Sequence, residues 1–220
     1  MIQKLIVSLA AAMFLVLVTN GSQAIEQLTW SDLVVPVGPL EDPYDGLDHE
    51  QRIDLDVLLT IERMRQADGL LPEDYIAGYE EIYTGLESAG LDPDDLIAKY
   101  EAYKAKIAEL NSSVREDRNG TDIRIPGYVL PLEYEGDRVT EFLLVPYVGA
   151  CIHTPPPPAN QIIHVKPNAS FRAKGMFTPV WVTGKLTVER SQQSVGLSDG
   201  IGGFEVGYQL QAEKVEKYTD

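Results

Sequence analysis

The hydrophobic pattern of this chain changes its period near residue 119, and that change restricts the folds open to it. Before this point the apolar side chains recur every three or four residues, as on one face of a helix: Ile53, Val57, Ile61 and Met64. Gly69 ends that stretch, and glycine is common just past the end of a helix. Beyond residue 119, β-branched and aromatic residues form short runs between turn residues. We therefore expect an α+β protein, with a helical segment followed by a sheet.

Two further helices are predicted to start at Pro72 and Pro93. In both places two acidic residues follow the proline at once. Proline suits the first helical position because its missing N–H would have no partner there, and acidic side chains favour the positive end of the helix dipole. The acidic helical segment is predicted to span residues 48–118.

Five strands are predicted in the second half, over residues 123–132, 141–147, 162–165, 180–188 and 204–215. The turn-forming stretch 133–137 joins the first two as a hairpin, and Gly184 marks a bulge in the fourth. The glycine- and serine-rich stretch 191–203 is expected to be a loop. Short strands with bulges and long loops are typical of a small, partly open β-barrel similar to the oligonucleotide/oligosaccharide-binding (OB) fold. This OB-like domain is predicted to span residues 119–220.

The first 24 residues have the composition of a secretory signal peptide. Lys4 precedes an apolar run over residues 5–18, and the small residues Ser22 and Ala24 follow as expected before a cleavage site. This run is shorter than the about 20 apolar residues that a transmembrane helix needs. We expect cleavage after Ala24, an irregular lead-in over residues 25–47, and a secreted protein that does not span the membrane. In a cell with an outer membrane the protein would be periplasmic.

The negative charge is concentrated in the helical segment. The chain carries a net charge of −16, and residues 25–122 alone carry −16, whereas residues 123–220 carry −1. Such acidity repels the phosphate backbone of nucleic acids, so a nucleic-acid-binding function is not expected. An acidic helical surface most often keeps a protein soluble, although it also suits a cation or a basic partner.

The single cysteine of the chain lies close to two of its three histidines. Cys151, His153 and His164 fall within 14 residues, with four consecutive prolines between them. Thiolate and imidazole are ligands that suit Zn(II), and residues two apart in an extended chain point to the same side. A closed zinc site takes four ligands, so these residues make at most a three-ligand or transfer-type site without a carboxylate or a partner. The first hypothesis is a Zn(II) site formed by Cys151, His153 and His164.

Two other interpretations of this segment stay open. In one, Cys151 is the nucleophile of a thiol-dependent enzyme with His153 or His164 as its base, but no orienting residue is recognisable in the sequence. In the other, the loop is a structural adaptor: Cys151 is a buried, inert thiol, and the consecutive prolines form a stiff polyproline II segment that fits an aromatic groove on a partner. The docking residues would then be Pro155, Pro156, Pro157, Pro158, Asn160 and Gln161.

Three segments of the second half are distinctive as strings. They are PGYVLPLE at residues 126–133, FLLVPY at residues 142–147 and GACIHTPPPPANQ at residues 149–161. Together they resemble an exported bacterial family that is catalogued as a domain of unknown function, over residues 123–215. The resemblance implies a small periplasmic protein, at times encoded beside ABC-type transporters and associated with zinc. It implies a metal-binding or partner-docking role for Cys151 and His153, and no enzyme activity.

The function predicted from these observations is that of an exported, non-enzymatic accessory or binding protein. It would serve a metal-linked ABC transport system through the Cys-x-His-Thr-Pro-Pro-Pro-Pro loop. The partner would be an exported or membrane transport component, and the only cofactor expected is Zn(II).

Overall fold

The computed structural model describes residues 24–69, 71–149, 156–197 and 200–219. In this part of the chain the helices are α1 (His49–Asp68), α2 (Glu73–Ser88) and α3 (Pro93–Ser112). The strands are β1 (Glu26–Gln27), β2 (Thr121–Glu135), β3 (Arg138–Val145), β4 (Ile163–Pro167), β5 (Thr178–Leu197) and β6 (Gly200–Lys217). The fold is mixed α+β, as predicted. Apart from Ala24, the residues of the predicted signal peptide lie outside the described ranges.

The helices begin where the sequence signals predict, and α1 ends at the predicted glycine. At the start of α1, the Asp48 side chain accepts a hydrogen bond from the Gln51 N–H (2.9 Å), and the Gln51 side chain accepts one from the Asp48 N–H (3.0 Å). Gly69 ends the helix in the left-handed conformation, with φ at 70°. Pro93 opens α3, and Pro72 directly precedes α2. Local capping chemistry therefore sets these boundaries.

The face of α1 that packs is only partly the face that its hydrophobic period suggests, since Ile61 of that face is buried. Ile53 is 50% exposed and Val57 38% exposed, whereas Leu55 and Leu59 are buried. Those leucines form a small cluster with Leu47 and Leu96, which brings α1, α3 and the lead-in together. The sequence thus predicts the helix, while its neighbours decide which side is buried.

All six strands belong to one sheet in the order β1-β2-β3-β4-β6-β5. Strand β2 also pairs with β5, so the hydrogen-bonded neighbours β2, β3, β4, β6 and β5 form a closed cycle. The β1–β2 and β4–β6 pairs are parallel, and the other pairs are antiparallel. The strands expected from the sequence all appear, although most of them extend beyond the predicted ends.

The predicted loop over residues 191–203 is wrong. Strand β5 continues through most of this stretch and β6 begins within it, with Gln193 opposite Phe204 and Val195 opposite Gly202. Val195 and Phe204 are buried, so the long hairpin is stabilised by apolar contacts as well as by its hydrogen-bond ladder. The glycine and serine residues conceal this in the sequence because they lower the intrinsic strand preference without preventing pairing.

The bulge predicted at Gly184 is confirmed. The β5–β6 register shifts between Thr183 and Gly184, and a Cβ atom on Gly184 would lie 2.1 Å from the backbone oxygen of Gln211. Only glycine allows the two strands to approach this closely.

Two apolar clusters stabilise the sheet, one on each face. The main cluster lies on the face of Val129, Phe142 and Val165. The second lies on the opposite face and includes Leu143 of β3 and Phe204 of the long hairpin. This division follows from the alternation of side chains along each strand.

The lead-in is not wholly irregular, because it attaches to the sheet at several points. Strand β1 pairs with β2, and a 3₁₀ turn follows at Trp30–Leu33. The buried hydroxyl of Tyr208 donates to the Leu33 carbonyl (2.9 Å) and accepts from the Arg115 N–H (2.7 Å). In the described ranges, no helix has both the length and the apolar character needed to cross a membrane.

Candidate functional site

The described end of the proline loop is anchored to two other parts of the chain. Pro157 is buried, and a 3₁₀ turn follows at Ala159–Gln161. The side-chain amide of Asn160 donates to the Leu110 carbonyl in the last turn of α3 (2.8 Å). The amide of Gln161 donates to the Trp30 carbonyl in the lead-in (2.9 Å). The chain therefore returns from the loop in a fixed position relative to α3 and the lead-in.

Close backbone packing against β6 also fixes the position of this turn. A Cβ atom on Gly207 would lie 2.8 Å from the Ala159 carbonyl oxygen and 2.8 Å from a methyl group of Val114. The absence of a side chain at Gly207 lets the turn and the linker after α3 rest directly on the strand. The anchored turn thus depends on glycine at this point of β6.

Asn160 is unusual because one of its polar atoms has no partner among the described residues. The side chain is 2% exposed, and its Oδ1 atom accepts no hydrogen bond from any described residue. Burying an amide oxygen in this way costs stability, so the residue is held there by its other contacts.

His164 lies on β4 as predicted, and its ring is held at both nitrogen atoms. Nε2 lies 3.1 Å from Glu141 Oε2, and Nδ1 lies 3.4 Å from the Gln193 side-chain nitrogen. His164 is opposite Leu143 in the β3–β4 ladder, so its side chain is on the face of the second apolar cluster. It is 3% exposed.

Glu141 lies between the buried His164 and the more exposed Lys166. Its side chain is 27% exposed, and its second oxygen lies 3.5 Å from the Lys166 ammonium. A carboxylate on one imidazole nitrogen selects the tautomer that carries a proton there and leaves the other nitrogen as an acceptor. In this structure the other nitrogen, Nδ1, faces the Gln193 amide at 3.4 Å, so the ring can bind a metal only if this amide moves.

The structure describes only part of the predicted site. Cys151, His153 and Pro155 lie outside the described residues, so their distances to His164 stay untested. Within the described ranges, no group of three or more His, Cys, Asp or Glu side chains is placed to hold a metal ion. Of the predicted docking residues, Asn160 and Gln161 act as anchors of the loop, whereas Pro156 is exposed.

Glu141 and Gln193 were not predicted as part of this site. They reach His164 across 23 and 29 residues of sequence, on two different strands. The sequence offers only one signal for such partners, a polar residue at an alternate position in an apolar strand. Gln193 lies in a stretch that was predicted to be a loop, so this signal could not identify it.

Comparisons with known proteins place the chain in a sequence family. The family described as "Protein of unknown function (DUF3299)" matches residues 68–217. The chain is also similar to a DUF3299 family protein from Pseudomonas aeruginosa PAO1 whose crystal structure is known. The two sequences are 29% identical, and the match covers 90% of this chain and 98% of the other, with a TM-score of 0.47. No curated protein matches the chain.

Proposed function

We propose that this chain, which belongs to the DUF3299 family, is an exported, non-enzymatic binding protein. In this proposal it is periplasmic and serves a metal-linked ABC transport system. The loop around Cys151 and His153 captures Zn(II) or docks onto a component of that system. The anchored turn at Ala159–Gln161 is the observation that carries the proposal, because it presents the loop from a fixed base.

The arrangement of His164 supports a transfer-type zinc site. Glu141 already orients the imidazole, as carboxylates do for zinc-ligating histidines. Gln193 faces Nδ1 at 3.4 Å, a long hydrogen bond that zinc binding can replace at modest cost. Together with Cys151 and His153, this gives three ligands and leaves the fourth position for a partner or water.

We also propose that the sheet is a small, partly open β-barrel of the OB-like type. The support is the closed cycle of strand pairs, which is the feature that separates a barrel from an open sheet. The proposal concerns the scaffold alone, since this type of fold hosts many unrelated functions.

A zinc titration of the mature protein tests the binding proposal. We expect stoichiometric binding in competition with a chromogenic chelator, and its loss in Cys151→Ser and in His153→Ala. His49→Ala is the matched control, because His49 is exposed at the start of α1 and belongs to no proposed site. Unchanged zinc stoichiometry in both loop variants would remove the proposal.

The third ligand needs its own variant. His164→Gln, confirmed as folded by circular dichroism, is expected to weaken zinc binding without abolishing it. If its affinity equals that of the parent protein, the site uses Cys151 and His153 without His164.

A second candidate function is a thiol-dependent enzyme. The contact between Glu141 and His164 favours it, since an orienting carboxylate on the base is part of triad chemistry. The near-complete burial of His164 opposes it. A catalytic thiol requires a lowered pKa, so slow alkylation of Cys151 by iodoacetamide at neutral pH would eliminate this candidate.

A further inference from the structure

A second site is suggested by a pocket at one end of the sheet, lined by parts of the chain that do not include the proline loop. It has a volume of about 380 Å³ and lies between residues 171–180 and the end of β6. The apolar part of its lining includes Phe171, Val180 and Val215, which all contact the main apolar cluster. The volume is within the range of small-molecule sites. The pocket therefore offers an apolar interior that is continuous with the core.

The mouth of the pocket carries positive charge that no carboxylate among the described residues pairs with. Lys174 and Lys217 both line it, and neither forms an ion pair with a carboxylate in the described part of the chain. The one acidic group of the lining, Glu216, is bound by Lys214 at 2.8 Å, and this hydrogen bond lowers the pKa of the Glu216 carboxyl. Glu216 is thus ionised and already partnered by a lysine outside the pocket. Two ammonium groups therefore stay available at the mouth of the pocket.

The segment that carries Lys174 is held by hydrogen bonds. The Thr178 hydroxyl accepts from the Lys174 N–H (3.0 Å) and donates to the Gly175 carbonyl (2.8 Å). The Phe177 N–H donates to the Val129 carbonyl (2.7 Å), with Phe177 at a φ of 58°, a conformation that costs free energy for a residue with a side chain. The strain is retained because the surrounding hydrogen bonds fix the segment, and the backbone of Lys174 is held with it.

The part of the pocket wall that contains Tyr218 is also held in place by specific contacts. The Tyr218 N–H donates to the Pro179 carbonyl (3.2 Å), and its ring stacks on Trp181 with centroids 5.5 Å apart. The Arg124 guanidinium lies 4.3 Å from the centre of the Trp181 ring. Tyr218 is therefore positioned before any ligand arrives, which reduces the entropy lost on binding.

We propose that this pocket binds a small amphipathic monoanion, a carboxylate with a compact apolar body. The apolar body would lie against Phe171, Val180 and Val215, and the carboxylate would pair with Lys174 and Lys217 at the mouth. Charge complementarity selects the anion, because a neutral analogue loses both ion pairs and a cationic one meets repulsion. The site does not involve Zn(II), so the result of testing it is independent of the function proposed above.

Calorimetric titration with three probes of the same chain length tests this site. Octanoate, octanol and octylamine share an apolar body and differ only in the charge of the head group. We expect saturable one-to-one binding of octanoate, about tenfold weaker binding of octanol and no binding of octylamine. Equal affinity for octanoate and octanol, or no saturable binding of octanoate, would overturn the proposal.

Charge reversal at the mouth locates the binding. The double variant Lys174→Glu/Lys217→Glu is expected to bind octanoate at least about tenfold more weakly, because two exposed ion pairs become repulsions. Lys104→Glu is the control, since Lys104 is also an exposed lysine, lies on α3 far from the pocket in sequence and is not part of its lining. Circular dichroism checks that both variants fold. Unchanged octanoate affinity in the double variant, or an equal loss in the control, would contradict this site.

Discussion

The sheet half and the helical half of the molecule bury their apolar side chains to very different extents. The main cluster of the sheet contains residues such as Phe142, Leu144 and Val165 that are wholly inaccessible to solvent. The helical cluster contains four buried leucines, while Ile53 and Tyr75 are about half exposed. The comparison indicates that the sheet supplies most of the folding free energy, and that the helices depend on their caps and on attachment to the sheet.

The attachment points between the two halves are few and specific. Tyr208 of β6 bonds to the linker after α3 at Arg115, and Asn160 bonds to Leu110 at the end of that helix. Val114 is part of the main apolar cluster of the sheet. Substitutions in the sheet, in the helices and at these attachments therefore test the comparison separately.

The largest effect is expected from Gly184→Val in the sheet. A Cβ atom there would meet the backbone of Gln211 and Ala212, which cannot move without breaking the β5–β6 ladder. We expect a loss of about 3–5 kcal/mol in the free energy of unfolding, or failure to fold. Gly196→Val on the same strand is the control, because nothing lies within 4 Å of its Cβ position. Similar urea midpoints for the two variants would show that the close approach at Gly184 is unimportant.

The second prediction compares matched leucine truncations in the two halves. Leu144→Ala in the sheet should cost about 4 kcal/mol, whereas Leu59→Ala in α1 should cost about 2 kcal/mol, since the small helical cluster can relax around the cavity. Urea unfolding measured by circular dichroism gives both values. Hydrogen exchange should also show α1 opening at a lower free energy than β3. Equal costs and equal protection would mean that the two halves unfold as one cooperative unit.

The attachment at Tyr208 should give an intermediate effect. Tyr208→Phe removes the hydroxyl that pairs with the Leu33 carbonyl and the Arg115 N–H, and leaves both without that partner. We expect a loss of about 2 kcal/mol, because unsatisfied buried groups carry their full desolvation cost. Tyr134→Phe is the control, since Tyr134 is 59% exposed. An equally small change in both variants would show that the hydroxyl does not attach the lead-in and linker to the sheet.

The smallest effect is expected at Asn160. Asn160→Ala removes the hydrogen bond to Leu110 but also the buried oxygen that has no partner in the described part of the chain, so the two changes partly cancel. We expect a loss below about 1 kcal/mol, together with faster amide exchange of Gln161 and Ile162. Asn168→Ala, at an exposed asparagine near the end of β4, should leave these amides unchanged. Unaltered exchange in the Asn160 variant would contradict the anchoring of the loop.

Part of the candidate site was predictable from the sequence, and part was not. The position of His164 on a strand followed from the apolar run around it, and the helix starts followed from proline and acidic residues. Glu141 and Gln193 were not predictable, because they reach His164 through strand pairing across distant parts of the chain. The pocket lined by Lys174 and Lys217 was not predicted from the sequence for the same reason, because its lining comes from two segments about 40 residues apart.

The sequence by itself determined the division into an acidic helical half and a sheet half, because periodicity, caps and turn residues act over a few neighbouring positions. It also determined the bulge at Gly184, where glycine marks a close approach. Only the tertiary structure decided that α1 buries Leu55 and Leu59 and leaves Ile53 exposed, and that residues 191–197 and 200–203 pair in a hairpin. These outcomes depend on which distant surfaces meet, and burial against those surfaces outweighs local preference.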